Sequence, residues 1–177
     1  KKVLVNLEIS MNSKIINNAL RIKPNYICIV PENRNEVTTE GGLNLYKNKK
    51  KLANIIQTFK KVNIRTSLFI NPSIKDVKLS KQLKADCIEI HTGRISNLVK
   101  LKKNYTTELN RIKKSSILAS KLDLEVHAGH GLDYKTTRIL NKIKQIEEFN
   151  IGHFIIGESI FFGLLKVIRN FKKIINY

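Results

Sequence analysis

Six short runs rich in β-branched residues alternate with longer stretches of helical spacing, and this alternation restricts the chain to very few folds. VLVNLE (residues 3–8), YICIV (26–30), IRTSLFI (64–70), DCIEIH (86–91), LEVHA (124–128) and FNIG (149–152) predict strands. Helical spacing covers residues 13–21, 45–61, 74–84, 105–121 and 135–145, with a C-terminal stretch over 154–176. In the fourth of these, Leu109, Ile112, Ser116 and Ala119 form a narrow face suited to packing on a sheet. Consecutive strands separated by a helix are joined as parallel neighbours, so the sheet is expected to be parallel and covered by helices. Two architectures satisfy this: an open doubly wound sheet and a (β/α) barrel. A complete eight-unit barrel has roughly 250 residues, and six units in 177 residues match about three quarters of one. With no linker, low-complexity tract or sequence repeat, residues 1–177 are expected to form a single domain.

Composition narrows the class further. Apolar residues make up 42% of the chain and are spread along its length, enough for a real core. No stretch approaches the roughly 18 to 20 apolar residues of a spanning helix, and no leader with a small-residue cleavage site is present. The expectation is a cytoplasmic protein with no membrane partner. The first residues, Lys1-Lys2-Val3-Leu4-Val5, enter a strand-like run without an initiator Met, which points to further residues upstream. Cys28 and Cys87 sit in apolar runs without CxxC spacing and read as buried small hydrophobes, not as a disulfide or a metal site.

The net charge of +19 raises nucleic acid as a partner. However, 26 Ile and 19 Asn against 5 Ala indicate an AT-rich codon bias, for which Lys is the default surface residue. The lysines are scattered, with one dense run at Lys47, Lys49, Lys50 and Lys51, and no aromatic residues interleave with them as a stacking platform requires. Weak nonspecific attraction at low salt is expected, and specific nucleic-acid binding is not.

Polar and glycine residues gather just after the strands. In a parallel α/β fold those ends lie on one face, so these segments should converge. Ala128-Gly129-His130-Gly131-Leu132 follows the fifth strand; its glycines allow close backbone approach and an anion nest, and its imidazole exchanges protons near neutral pH. The plainer reading is a tight turn. Asn150-Ile151-Gly152-His153 ends the last strand ahead of a helical run, where barrels commonly bind phosphate. Glu8 and Glu89 lie at strand ends, where partial desolvation suits acid/base work; the plainer reading is an ion pair with one of the many lysines. His91 should point to the same side as Glu89. The long polar loop over residues 31–42 exceeds an ordinary βα connection and reads as a lid or binding loop. In it, Thr38 and Thr39 offer hydroxyls to a phosphate, or Thr39 caps a helix, and Gly41-Gly42 offers a hinge.

Taken in order, NLE (6–8), VPENRNEVTTEGGL (30–43), SLFI (67–70), IEIHTG (88–93), AGHGL (128–132) and NIGH (150–153) resemble the pyridoxine 5′-phosphate synthase family of vitamin B6 biosynthesis, from end to end of the chain. The resemblance implies a TIM (β/α)8-type barrel, here about six of the eight βα units with an extra helix after the last strand. It also implies a homo-octamer that condenses 1-deoxy-D-xylulose 5-phosphate with 3-amino-2-oxopropyl phosphate. Pyridoxine 5′-phosphate, phosphate and water would be released, with no metal or organic cofactor. By motif position, Glu8 matches an acid/base glutamate, His130 a proton donor, and Glu89 a glutamate that stabilises a transition state by opposing iminium-like positive charge. Thr38, Gly131, Gly152 and His153 match positions that bind substrate or its phosphates.

Two features depart from the family pattern. The family's opening βα units, with Asn-x-Asp-His and His-x-Arg segments, have no counterpart here, and His127 stands where the family usually has Asn. Three function classes follow: the enzyme, a noncatalytic barrel remnant that binds phosphorylated ligands without turnover, and a basic nucleic-acid module.

Overall fold

The computed structural model describes residues 3–32 and 41–175. Six strands and eight helices are found among them: β1 (Asn6–Ile9), α1 (Ser13–Ile22), β2 (Tyr26–Ile29), α2 (Lys49–Lys60), β3 (Arg65–Ile70), α3 (Ile74–Gln82), β4 (Cys87–His91), α4 (Gly93–Lys100), α5 (Thr106–Lys121), β5 (Glu125–Gly129), α6 (Tyr134–Leu140), β6 (Ile146–Asn150), α7 (His153–Phe162) and α8 (Leu164–Ile175). All adjacent strands pair in parallel, and their spatial order is the chain order β1-β2-β3-β4-β5-β6. A doubly wound sheet reverses its strand order at a switch point. An unbroken sequential order has none, which removes that alternative.

The sheet curls into a partial barrel. Asn6 on β1 donates from Nδ2 to Glu148 Oε1 on β6 at 2.6 Å, so the first and last strands face each other across the concave side although they do not pair. Alternation along each strand then separates two environments. One face carries Ile27, Ile29, Leu68, Ile70, Ile88, Ile90 and Val126, all fully buried against the helices. Leu52, Ile56 and Phe59 of α2, Ile95 of α4 and Ile112 and Ala119 of α5 belong to the same core. The concave face carries polar groups instead.

Side-chain caps start three of the helices. Asn12, Ser73 and Asp133 each accept a backbone N–H in the first turns of α1, α3 and α6. Three details differ from the sequence reading. An additional helix, α4, follows β4 directly. The sixth strand begins earlier and ends at Asn150, because Glu148 faces the concave side and not solvent. The C-terminal stretch is two helices, broken at Gly163, whose φ of +78° suits glycine. Among the described residues no helix is long and apolar enough to cross a membrane.

Candidate active site

Three residues of β4 point to the concave face: Cys87, Glu89 and His91. Glu89 is 2% exposed. Its Oε2 accepts hydrogen bonds from Asn150 Nδ2 at 2.8 Å and from Cys28 Sγ at 3.3 Å. Burial pushes its carboxyl from the ordinary 4.5 up to about 7, against the lowering effect of those two bonds. Glu89 can therefore hold or release a proton near neutral pH, as acid/base chemistry requires. The carboxylate lies so close to β5 that a Cβ on Gly129 would stand 1.9 Å from Glu89 Oε1. Only glycine fits there, which is the packing reason for the first glycine of AGHG.

The next residue, His130, has φ +81°, and Gly131 follows with φ +73°. Two successive left-handed residues turn the backbone sharply away from β5. Thr92 holds this turn: its hydroxyl lies 2.7 Å from both the Gly129 and the His130 carbonyl oxygens and donates to them. That engagement leaves the first turn of α4 without a side-chain cap. The imidazole of His130 lies nearly parallel to that of His91, with centroids 4.8 Å apart and planes 29° apart.

Glu8, on β1, is exposed and registers beside Cys28 of β2. At the other sheet edge, Gly152 precedes α7, whose first turn has no side-chain cap. Free amide groups at such an end attract anions. His153 begins this helix.

These groups meet in one cavity of about 1160 Å³, lined by Glu8, Glu89, His91, His130, Gly131, Gly152 and His153 together with Asn150 and Phe69. Pro31 and Gly41, at the described ends of the long loop, also line it. Thr38 and Thr39 lie outside the described residues. A smaller recess of about 390 Å³, beside Tyr26 and Arg65, opens at the opposite ends of the strands and contains none of the candidates.

Below the cavity the concave face holds a second polar cluster. Arg65 pairs with Glu125 and donates to the Tyr26 hydroxyl at 2.8 Å. His127 Nε2 lies 2.9 Å from Glu125 Oε1, and its Nδ1 faces Glu148 at 3.6 Å. Although burial raises it, the bonds from His127 and Arg65 hold Glu125 below the usual carboxylate range. Cys87, Glu125 and His127 bring potential metal-ligand atoms within 4.8 Å of one another. Burial pushes the Cys87 thiol up to about 12, and the guanidinium already supplies the positive charge Glu125 needs. The Arg65–Glu125 pair and His127 thus form one hydrogen-bonded polar network beneath the site.

Both cysteines are buried and unbridged. They face the concave side, however, and Cys28 bonds Glu89 instead of merely filling space. Asn150, Thr92 and Phe69 lie within the motifs read from the sequence but were given no role of their own there, and Gly129 was read only as a point of close backbone approach. The signal for Asn150 was available: it ends a strand, on the concave side of the alternation.

Comparison with known proteins gives the family. The family model described as "Pyridoxal phosphate biosynthesis protein PdxJ" matches residues 1–177. The pyridoxine 5′-phosphate synthase of Pelagibacter ubique (strain HTCC1062) is 64% identical over 176 residues, covering 99% of this chain and 74% of that protein. The synthase of Aliarcobacter butzleri (strain RM4018) is 41% identical over 193 residues, covering 97% of this chain and 74% of that protein. Among solved structures, the YdjI aldolase from Escherichia coli K12 aligns with a TM-score of 0.55 at 13% identity, over 98% of this chain and 64% of that one, a likeness of fold alone. With a site assembled at the strand ends and a family match from the first residue to the last, the chain belongs to the family of pyridoxal phosphate biosynthesis proteins called PdxJ.

Proposed function

We propose that the protein is a pyridoxine 5′-phosphate synthase, condensing 1-deoxy-D-xylulose 5-phosphate with 3-amino-2-oxopropyl phosphate. The observation that carries the reading is the cavity, in which Glu8, Glu89, His130, Gly131, Gly152 and His153 converge from four separate strand ends. Ring closure by imine formation and dehydration needs repeated proton transfers, and a carboxyl with an imidazole can supply them. Glu8 acts as acid and base, and His130 donates protons. Glu89, in its ionised form, opposes the positive charge of an iminium-like intermediate from a desolvated position where that charge is felt strongly. Thr38, Gly131, Gly152 and His153 bind the substrates or their phosphates, Gly152 and His153 at the start of α7. The reaction needs no metal or organic cofactor.

The same reading makes the curled sheet part of a TIM-type barrel forming one domain, in a cytoplasmic protein that self-associates as an octamer. A second reading, phosphate-ligand binding without turnover, is supported by the uncapped start of α7, which attracts anions whether or not proton transfer follows. Incubation with both substrates separates them. Product appears in the first reading, and turnover falls about 10² to 10⁴-fold in Glu8→Gln and in His130→Asn. Near-normal turnover in both variants removes the acid/base assignment, and ligand binding with no product supports the second reading.

A further inference from the structure

We infer that His91 is a positioning residue that fixes the plane of the His130 imidazole, an inference that rests on the proton-donor role proposed above. The His130 backbone is set by its left-handed conformation and by the Thr92 hydroxyl bridging the Gly129 and His130 carbonyls, but neither constrains the ring. His130 is exposed, and an exposed side chain changes rotamer on a picosecond to nanosecond scale unless something packs against it. The ring of His91 packs against it, offset and nearly parallel, with centroids 4.8 Å apart.

His91 is itself tightly held. It stands at the end of β4, and its ring meets Phe69 edge to face at 5.2 Å and 81°. Two glycines close around it. A Cβ on Gly93 would lie 2.8 Å from His91 Cε1 and 2.9 Å from His130 Cδ2, and one on Gly41 would lie 3.0 Å from His91 Nε2. Phe69, His91 and His130 therefore form an aromatic triad rooted in two central strands at the cavity, in which Phe69 touches His130 only at 6.3 Å and 55° while His91 is the ring stacked on it. A donor atom must come within roughly 2.6 to 3.2 Å of its acceptor, and a misplacement of about 1 Å can cost about 10²-fold. The stacked His91 ring supplies that orientation before substrate arrives.

The test compares His91→Ala with His91→Phe, which keeps an aromatic face but loses both ring nitrogens. Steady-state turnover is measured together with the imidazole proton resonances, which are few because the chain has 4 histidines. His91→Ala should lower kcat about tenfold or more and leave KM for both substrates within about twofold, whereas His91→Phe should recover kcat to within about threefold. The His130 resonance, shifted upfield by the stacked ring, should move downfield in His91→Ala and stay near its place in His91→Phe. Unchanged kcat and an unchanged His130 resonance in His91→Ala overturn the inference. Equal loss in both variants with a raised KM also overturns it, because His91 would then contact substrate through its nitrogens. If the alanine variant does not fold, His91→Gln, which keeps bulk without a ring, is read in the same way. If the unsubstituted protein makes no pyridoxine phosphate, the functional reading fails, and the His130 resonance alone then decides whether His91 holds the ring.

Discussion

Burial governs Glu89 more than its neighbours do. The carboxyl is enclosed by β2, β5 and β6, and its two hydrogen bonds only partly offset the lost hydration. Because its proton is held to about pH 7 in the native state and to about 4.5 when the chain unfolds, the sign of the pH effect is determined. Below pH 4.5 both states are protonated and Glu89 has no effect. Between 4.5 and 7 the unfolded chain releases a proton that the native chain keeps, so stability falls as pH rises. Above 7 the penalty is complete, about 3 kcal/mol. Glu89→Gln should therefore melt higher than the unsubstituted protein at pH 8 and level with it near pH 4, as read by calorimetry. A difference independent of pH would place the effect in packing instead. Sequence reading reached Glu89 as a desolvated strand-end carboxylate and Gly129 as a point of close backbone approach, but not that the two meet, because a clash of Cβ with a carboxylate on the neighbouring strand has no trace in local sequence.

Among the elements, α2 shows how the helices fasten the sheet. Its Leu52, Ile56 and Phe59 are buried, and the carbonyl of Phe59 accepts from Ile64 N at 3.1 Å as the chain turns into β3. Removing that ring leaves a void the surrounding strands cannot fill, so Phe59→Ala should cost about 3 to 5 kcal/mol in urea unfolding. The period of this helix was plain in its sequence. That of α4 was not, since GRISNLVK opens on glycine and gives only Ile95 and Val99 to the core. The boundary between α7 and α8 is hidden in a continuous apolar run, and Gly163 was the one local sign of it. In β6, Glu147 and Glu148 argue against a strand by composition, yet Glu148 has Asn6 and His127 as partners on the concave face.

For the whole molecule, the most consequential surface is the one α7 leaves uncovered. None of its residues is buried, and Ile156, Ile160, Phe161, Phe162, Leu164 and Leu165 are each more than half exposed. If the protein self-associates as proposed, this apolar cluster is the surface that fits the contact. Sedimentation equilibrium should give a mass that is a multiple of the chain, and Phe161→Glu should shift it towards the monomer. Charge acts in the opposite direction: at +19, copies repel one another, so association should strengthen as salt screens them. A monomer at every salt concentration would overturn self-association through this cluster.

The sequence by itself determined the class of fold and the chemical inventory, because strand and helix periods are local and residue types are printed in the chain. It also located the polar groups after the strands. What it left open was decided by the curl of the sheet. Whether six parallel strands reverse their order or run in sequence depends on contacts between distant segments, and the Asn6–Glu148 bond joins residues 142 positions apart. The same curl brings Asn150 to Glu89, and the register of β5 beside β4, with the turn that follows, stacks His130 on His91. Non-local contacts of this kind have no periodicity to read, and they turn an inventory of acids and bases into a site.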